Sequence, residues 1–462
     1  MSAPDPNSDI VRLDLSQKLL RLGLDIGGRN TGRGSMDQLQ NAETLGQVGT
    51  TRMDRPLEAA VIGAGWAGLG VSYALAKADL SHRVLERGRI GETWLTQRWD
   101  SFHLNTPKFR TVMPGDRYEG SDHEGFYTRD EFVALLEDYA RRRRLPVATN
   151  TPVTSLTHDG KAGVYRLITP AGELTARAVV IASGSQNRAR RPEVAQALPP
   201  GLLQIDTSGY RSPDALPAGA VLVVGSAQSG GQIAEDLAIA GRVVFLSTGR
   251  TGRKPRRYRG RDVSFWEQES GLYDIPRKDF VGPDGRIPGR PLFGALHTIS
   301  LQSLSAQGVV LLGRFTGIAN GRLTFADDVR ENVRLGDEAA AKTRRHIDDY
   351  IARHGLDAPL ATDDPAETVT PRLQNPQILS LDPREHHVST VIWCTGFEGD
   401  YSFVQVPGVL NARGQPLEDE GMTEAPGFYF AGVDFSSTRK SGLITAIAEE
   451  AQRLVGHIVA RR

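Results

Sequence analysis

Ala59-Ala60-Val61-Ile62-Gly63-Ala64-Gly65-Trp66-Ala67-Gly68 is the stretch whose reading decides the fold. Its apolar start reads as a buried strand, and Gly63-x-Gly65-x-x-Gly68 follows at once, ahead of the helical run Leu69 to Ala78. In this spacing Gly63 permits a tight turn, and Gly65 lets the backbone approach a pyrophosphate. Gly68 lets the helix pack closely on its strand. Trp66 and Ala67 open that helix, whose N-terminus attracts phosphate. Glu86 ends the next strand, Arg83-Val84-Leu85, 23 positions past Gly63, with Arg87 beside it. A carboxylate there accepts both ribose hydroxyls and repels a 2′-phosphate, so FAD or NAD fits and NADP does not.

A second strand, Val221-Leu222-Val223-Val224, leads into Gly225-Ser226-Ala227-Gln228-Ser229-Gly230. Ala227 replaces the middle glycine with another small residue, and Gln228 and Ser229 offer hydrogen bonds to a pyrophosphate. The following strand, Val243 to Leu246, ends in Ser247-Thr248-Gly249-Arg250. A hydroxyl (Thr248) plus a guanidinium (Arg250) suits the 2′-phosphate of NADPH, which arginine grips as a bidentate fork. Arg253, Lys254, Arg256, Arg257, Arg259 and Arg261 follow, and most of these six read as a solvated basic loop. At the far end of the chain, Pro426 to Asp434 is an aromatic strand closing on Gly432-x-Asp434, followed by Arg439-Lys440-Ser441-Gly442 and an alanine-rich helix. The aspartate suits a ribityl chain, and a helix N-terminus at Gly442 suits the pyrimidine edge of a flavin, which selects FAD over NAD for the first site.

Gly63 and Gly225 are too far apart for one βαβ unit. The chain therefore reads as an α/β protein with two Rossmann-type dinucleotide-binding domains, the NADPH domain inserted into the FAD domain. The segments are an N-terminal extension (1–56), a first FAD part (57–211), an NADPH part with a substrate-side insertion (212–345) and a second FAD part (346–462). Thr128 to Glu131 has the capping-box pattern. Val179-Val180-Ile181 reads as a buried strand, Val329 to Arg353 as a long helix, and the α/β pattern resumes at Val391. Within the extension, Val11 to Leu24 reads as an amphipathic helix and Gly27 to Ser35 as a flexible break. Docking arm and tail remain equal readings of it, with Met36 or Met53 as alternative starts.

Lys+Arg and Asp+Glu are both 55 in 462 residues, which gives no global field for nucleic acid or an acidic membrane. The single cysteine, Cys394, excludes an internal disulfide and a CxxC redox pair. Ten histidines without HExxH or CxxC spacing point to no metal. No apolar run reaches bilayer length, and the acidic, proline-containing start is unlike a secretory signal, so a cytoplasmic protein is expected. A homodimer stays open.

From about residue 57 to 460 the chain resembles the flavin-containing monooxygenase superfamily, nearest to bacterial flavoproteins similar to plant indole-3-pyruvate monooxygenases. The residues that carry the resemblance are the two nucleotide turns, Ala182-Ser183-Gly184 and Thr395-Gly396-Phe397 at the family's two links, Gly432 to Asp434, Gly91-Glu92-Thr93-Trp94, and Ser101 to Lys108. The resemblance places Asn105 beside the flavin, its amide holding the oxygenated flavin or the nicotinamide, with Thr93, Trp94, Thr106 and Val153 in the cofactor wall. It implies that NADPH reduces FAD and that a flavin hydroperoxide then passes one oxygen of O2 to a small organic substrate. Trp266, Tyr273, Phe280, Phe293 and His297 are expected to help shape the substrate cavity, although packing is the commoner role for each taken singly.

The family fingerprint FxGxxxHxxx(Y/F/W) is incomplete. Tyr210 and Arg211 fit, but Asp206 replaces the histidine, Pro200 and Leu202 replace Phe and Gly, and Glu92 replaces a glycine elsewhere. These departures bear on coupling more than on cofactor binding, and Tyr210 favours heteroatom or keto-acid oxidation. The rivals are an NADPH oxidase or reductase that releases peroxide, and a flavin-binding protein without turnover.

Overall fold

The computed structural model describes residues 55–462, apart from 283–286 and 288. The expectations for the extension (the helix Val11 to Leu24, the break at Gly27 to Ser35 and the starts at Met36 or Met53) lie outside the described residues. The first sheet runs in the order Val147–Ala148, His82–Leu85, Leu57–Ile62, Gly172–Ile181, Val164–Thr169, Ser155–Asp159, with Phe428–Phe430 also paired to Gly172–Ile181. Gly172–Ile181 serves two sets of partners in succession. Its exposed first half pairs antiparallel with Val164–Thr169, and its buried second half lies parallel between Leu57–Ile62 and Phe428–Phe430. Ile181 stands in register with both Ile62 and Phe430. Gly63, Ala182 and Ala431 therefore leave the sheet at one edge, the carboxyl ends of parallel strands, where ligands of open α/β sheets bind.

The second sheet is wholly parallel, in the order Val310–Leu312, Val244–Ser247, Ala220–Val224, Val388–Trp393, Leu203–Asp206. This membership corrects the segment boundaries expected from the sequence. Leu203–Asp206 precedes the expected start at 212, and Val388–Trp393 follows the expected end at 345, yet both flank Ala220–Val224 or its neighbour. A fully buried apolar strand such as Val388–Trp393 carries no local mark of which sheet it joins, because pairing partners are distant in sequence. The expected helices form: Trp66–Lys77 after the first turn, Arg129–Arg142 and Val329–His354. At Thr128 the capping box closes both ways, with Glu131 N–H donating to Oγ1 (3.2 Å) and Thr128 N–H to Glu131 Oε2 (2.8 Å).

The two glycine turns are one device built twice. Gly63 and Gly225 both have φ of +106°, and a Cβ on either would lie 2.5 Å from a backbone oxygen, that of Ala182 or of Cys394. A Cβ on Gly68 would overlap the Gly63 carbonyl, as one on Gly230 would overlap that of Gly225. Gly65 and Ala227 share an ordinary extended backbone (φ −80° and −76°), so the middle position tolerates alanine conformationally. Around Gly65 a Cβ would meet nothing within 4 Å. Gly68→Ala is therefore expected to destabilise the fold by about 1–3 kcal/mol, whereas Gly65→Ala keeps the parental melting temperature and weakens nucleotide binding. Equal melting temperatures for the two variants would contradict the assignment.

Candidate functional site

One cavity of about 1640 Å³ opens where both turns point. Pockets for single drug-sized ligands measure roughly 300–1,000 Å³, so this space accommodates more than one small molecule. Gly63, Gly65, Trp66 and Ala67 enter its wall from the first turn, with Glu86, Arg87, Thr93 and Trp94 beside them. Asn105, Thr106, Val153 and Gly184 line it from the connecting segments. Gly225, Ser226, Gln228, Ser229 and Arg250 face it from the second turn, and Thr395, Gly396, Gly432, Asp434 and Gly442 complete it from the C-terminal third. Gly68 and Gly230 lie behind the turns as packing glycines.

Around the first turn, Glu86 is 7% exposed and accepts the N–H of Ala64 (2.7 Å) and of Gly88 (3.0 Å) on separate oxygens. It braces the turn while each oxygen keeps further accepting capacity toward the cavity. Gly432 packs against Ala67 and Trp66, so the C-terminal strand closes this end. The Asp434 carboxylate accepts from Gln186 Nε2 (3.1 Å) and from Arg290 (2.8 Å), and lies against the left-handed turn at Gly442. Arg290 escaped the sequence reading because it sits in a stretch without periodicity. Arg98 escaped it too. Its guanidinium packs over Trp94 (5.2 Å), Phe102 (5.9 Å) and Phe397 (5.6 Å) in the cavity wall, and burial lowers its pKa to about 10. The signal was available in the aromatic run from Trp94 to Phe102.

The second turn brings corrections. Thr248 is 1% exposed and outside the cavity wall; its hydroxyl donates to Leu312 O (2.8 Å) and accepts from Asn332 (3.0 Å). It is thus spent on the core and cannot reach a 2′-phosphate. Ser226 Oγ accepts the N–H of Gly249 (3.0 Å) and ties the turn to the next strand's end. Gln228 does not aim its amide at a pyrophosphate. Oε1 accepts the Phe293 N–H (3.0 Å), while Nε2 donates to Phe293 O and to Asn105 Oδ1 (3.2 Å). Arg250 is exposed in the cavity wall and pairs with no carboxylate among the described residues. Its loop packs on the helix Val329–His354, which presents Ala339, Lys342, Thr343 and His346 to the same cavity at helical spacing. Lys342 was missed, although a basic residue on a helix face beside that loop is a readable signal.

The basic run is solvated only in part: Arg257 and Arg261 keep about half of their side chains exposed beside Glu124, whereas its first residues are buried. Arg253, Lys254 and Arg256 are 4%, 7% and 1% exposed, and each meets a carboxylate: Asp337 and Glu367, Glu267 (2.7 Å), and Asp262 (2.6 Å). Arg256 also donates to the backbone oxygens of Asn105 (2.9 Å) and Gly294 (3.2 Å). Of the five aromatic or histidine residues expected at a substrate cavity, none lines this one. Trp266 packs with Val263 and Ile347, Tyr273 donates to Glu267 (2.8 Å), and Phe280 meets Phe435 edge-on (5.5 Å). Phe293 lies under Lys254 (4.2 Å), and His297 pairs with Glu235 (2.9 Å). Large aromatics are drawn into packing before they report on a cavity. In the fingerprint segment, Asp206 pairs with Arg191 (2.9 Å), Tyr210 is fully buried with its hydroxyl on Asp236 (2.6 Å), and Arg211 donates to Arg98 O (3.0 Å).

Cys394 is buried under the second turn and its thiol is pushed up to about 12 by that burial, which leaves it unreactive. Among the described residues no group of three or more His, Cys, Asp or Glu could hold a metal, and no helix is long and apolar enough to cross a membrane.

A family profile described as pyridine nucleotide-disulphide oxidoreductase matches residues 60–268. An uncharacterised CzcO-like oxidoreductase of Geobacillus kaustophilus is 30% identical over 410 residues, covering 88% of this chain and 99% of that protein. The rice indole-3-pyruvate monooxygenase YUCCA1 is 30% identical over 186 residues, 39% of this chain and 44% of that one. Among solved structures, OTEMO in complex with FAD and NADP superposes with a TM-score of 0.52 at 16% identity, over 87% of this chain and 85% of that one. Fold and profile together define an α/β oxidoreductase with parallel sheets. The protein belongs to the CzcO-like oxidoreductases. With one cysteine in the sequence, no internal dithiol of the kind a disulfide reductase uses can form.

The buried pairs separate structural from ligand-facing arginines. Arg256→Met strands the Asp262 carboxylate and is expected to lower stability by about 3–5 kcal/mol. Arg250→Met should stay within about 0.5 kcal/mol of the parent. Urea unfolding of the two variants checks this, and similar losses in both would refute the distinction.

Proposed function

We propose that the protein is an FAD-dependent, NADPH-consuming monooxygenase that inserts one oxygen atom of O2 into a small organic substrate. The observation that carries this reading is the repeated turn. Gly63 and Gly225, with the same φ and a carbonyl beneath each, open on one shared cavity. A carboxylate follows the first turn, and a guanidinium unpaired among the described residues follows the second. That is the pairing wanted for FAD on one side and NADPH on the other. On this reading the first sheet forms the FAD-binding domain, and the second sheet, inserted into it, the NADPH-binding domain.

FAD, when bound, would supply the redox chemistry by taking a hydride from NADPH and activating O2. The protein's own part is to bind, orient and exclude water. The backbone at Gly65 and the N-terminus of Trp66–Lys77 would take the FAD pyrophosphate, Glu86 the adenosine ribose, and Asp434 the ribityl chain. Arg250, joined by Lys342, would hold the NADPH 2′-phosphate. Asn105 lines the cavity that both turns open on and is bonded to the second helix through Gln228 and Gln232 (3.3 Å); on this reading its amide would meet the reacting ends of both cofactors.

A peroxide-releasing NADPH oxidase is the second reading. Its support is Asp206, which stands at the fingerprint's histidine position and pairs with Arg191. Stoichiometry decides: an oxidase yields one H2O2 per NADPH with every substrate tried, and a monooxygenase yields less with a good one. Loss of yellow colour on anaerobic NADPH addition is expected in either case. A protein that binds no FAD, or binds it without bleaching, would end both readings. Arg250→Ala should narrow the preference for NADPH over NADH roughly tenfold, since a charge-assisted hydrogen bond is lost. Thr248→Val should leave the preference unchanged, and the reverse pattern would return the 2′-phosphate to Thr248.

A further inference from the structure

The amide of Asn105 has a defined orientation, and its origin lies in the second nucleotide turn. A backbone N–H can only donate and a backbone carbonyl can only accept. Phe293 supplies one of each to Gln228: its N–H meets Oε1 (3.0 Å) and its carbonyl receives Nε2. This fixes which end of the Gln228 amide is oxygen. The second hydrogen of Nε2 then points to Asn105 (3.2 Å), and the atom receiving it must be an acceptor, Oδ1. Gln232, one helical turn on, donates to the same oxygen (3.3 Å). With Oδ1 held by two donors, Nδ2 of Asn105 is left without a partner among the described residues, in a residue that lines the cavity. The backbone of Asn105 is fixed separately, by Arg256 on its carbonyl (2.9 Å).

We infer that Gln228 is a positioning residue that holds Asn105 as a two-hydrogen donor toward the cavity, so that the second nucleotide turn and the Asn105 amide move as one unit. Gln228 is the first residue of the helix Gln228–Ile239, directly after Gly225 to Ala227. Whatever seats a nucleotide on that turn also sets the register of Gln228, and through it the donor face of Asn105. The group that Asn105 serves is therefore a hydrogen-bond acceptor. This inference rests on the proposed place of Asn105 beside the reacting cofactor ends.

The test uses FAD-loaded enzyme with NADP+ and O2 and requires no substrate. Reduced enzyme carrying NADP+ is mixed with O2, and the return of the oxidised flavin spectrum is timed. Asn105→Ala and Gln228→Leu should each speed that return roughly tenfold, the loss of one positioned hydrogen bond. The double variant should be no faster than the faster single one, because both act through one amide. Gln228→Glu keeps the acceptor for Phe293 N–H but offers Asn105 no donor, so it should behave as Gln228→Leu does even if the leucine variant folds poorly. NADP+ affinity, titrated by the change in flavin absorbance, should move less than roughly threefold in Gln228→Leu.

A parental reoxidation rate in both Gln228 variants beside a fast Asn105→Ala would overturn the inference and leave the role of Asn105 standing. So would multiplying effects in the double variant. A roughly tenfold loss of NADP+ affinity in Gln228→Leu would make Gln228 a nucleotide ligand instead. An unchanged rate in Asn105→Ala would remove Asn105 from the reaction, and the inference with it.

Discussion

A helix can stand directly on the end of its strand only where the turn between them carries no side chain. In this protein that steric condition is met twice. Gly63 turns over the Ala182 carbonyl and Gly225 over that of Cys394, each with a second glycine under the helix start. The oxygens approached belong to the segments that connect the two sheets, so each turn is seated on a crossing between them. The cavity follows from this arrangement, since both crossings and both helix starts lie at the carboxyl ends of parallel strands.

Around that frame the charged residues divide by depth. Arg253, Lys254 and Arg256 are withdrawn from solvent and balanced by Asp337, Glu367, Glu267 and Asp262, as burial of charge demands. Arg250 and Lys342 line the cavity without a carboxylate among the described residues, and on the proposed reading a phosphate would give them a partner. Arg98 lies between the two conditions, desolvated and without a carboxylate among the described residues, its charge resting on three aromatic faces. The loop carrying it is held by Arg211, so the incomplete fingerprint segment keeps a bracing role even with Asp206 in place of histidine.

What the sequence made legible was local. Glycine sterics, strand-to-helix succession, the capping box at Thr128 and the carboxylate at Glu86 are all written within short stretches. What escaped was settled by residues far away along the polypeptide. Thr248 looked free until Leu312 and Asn332 claimed its hydroxyl, and Gln228 looked like a phosphate ligand until Phe293 took its amide. Arg253 looked solvated because one of its counter-charges, Glu367, lies 114 positions away. The α/β pattern resumes legibly at Val391, but that its strand pairs with Ala220–Val224 was hidden for the same reason. Aromatic residues misled in another way, since their burial is compatible with a packed core or a cavity wall.

Gly432 fits against Ala67, and Asp434 and Gly442 finish the wall that begins at Gly63. This end of the cavity wall thus joins residues of the first strand and helix to residues far along the sequence. It is complete only once two distant stretches of the polypeptide have met in the folded molecule.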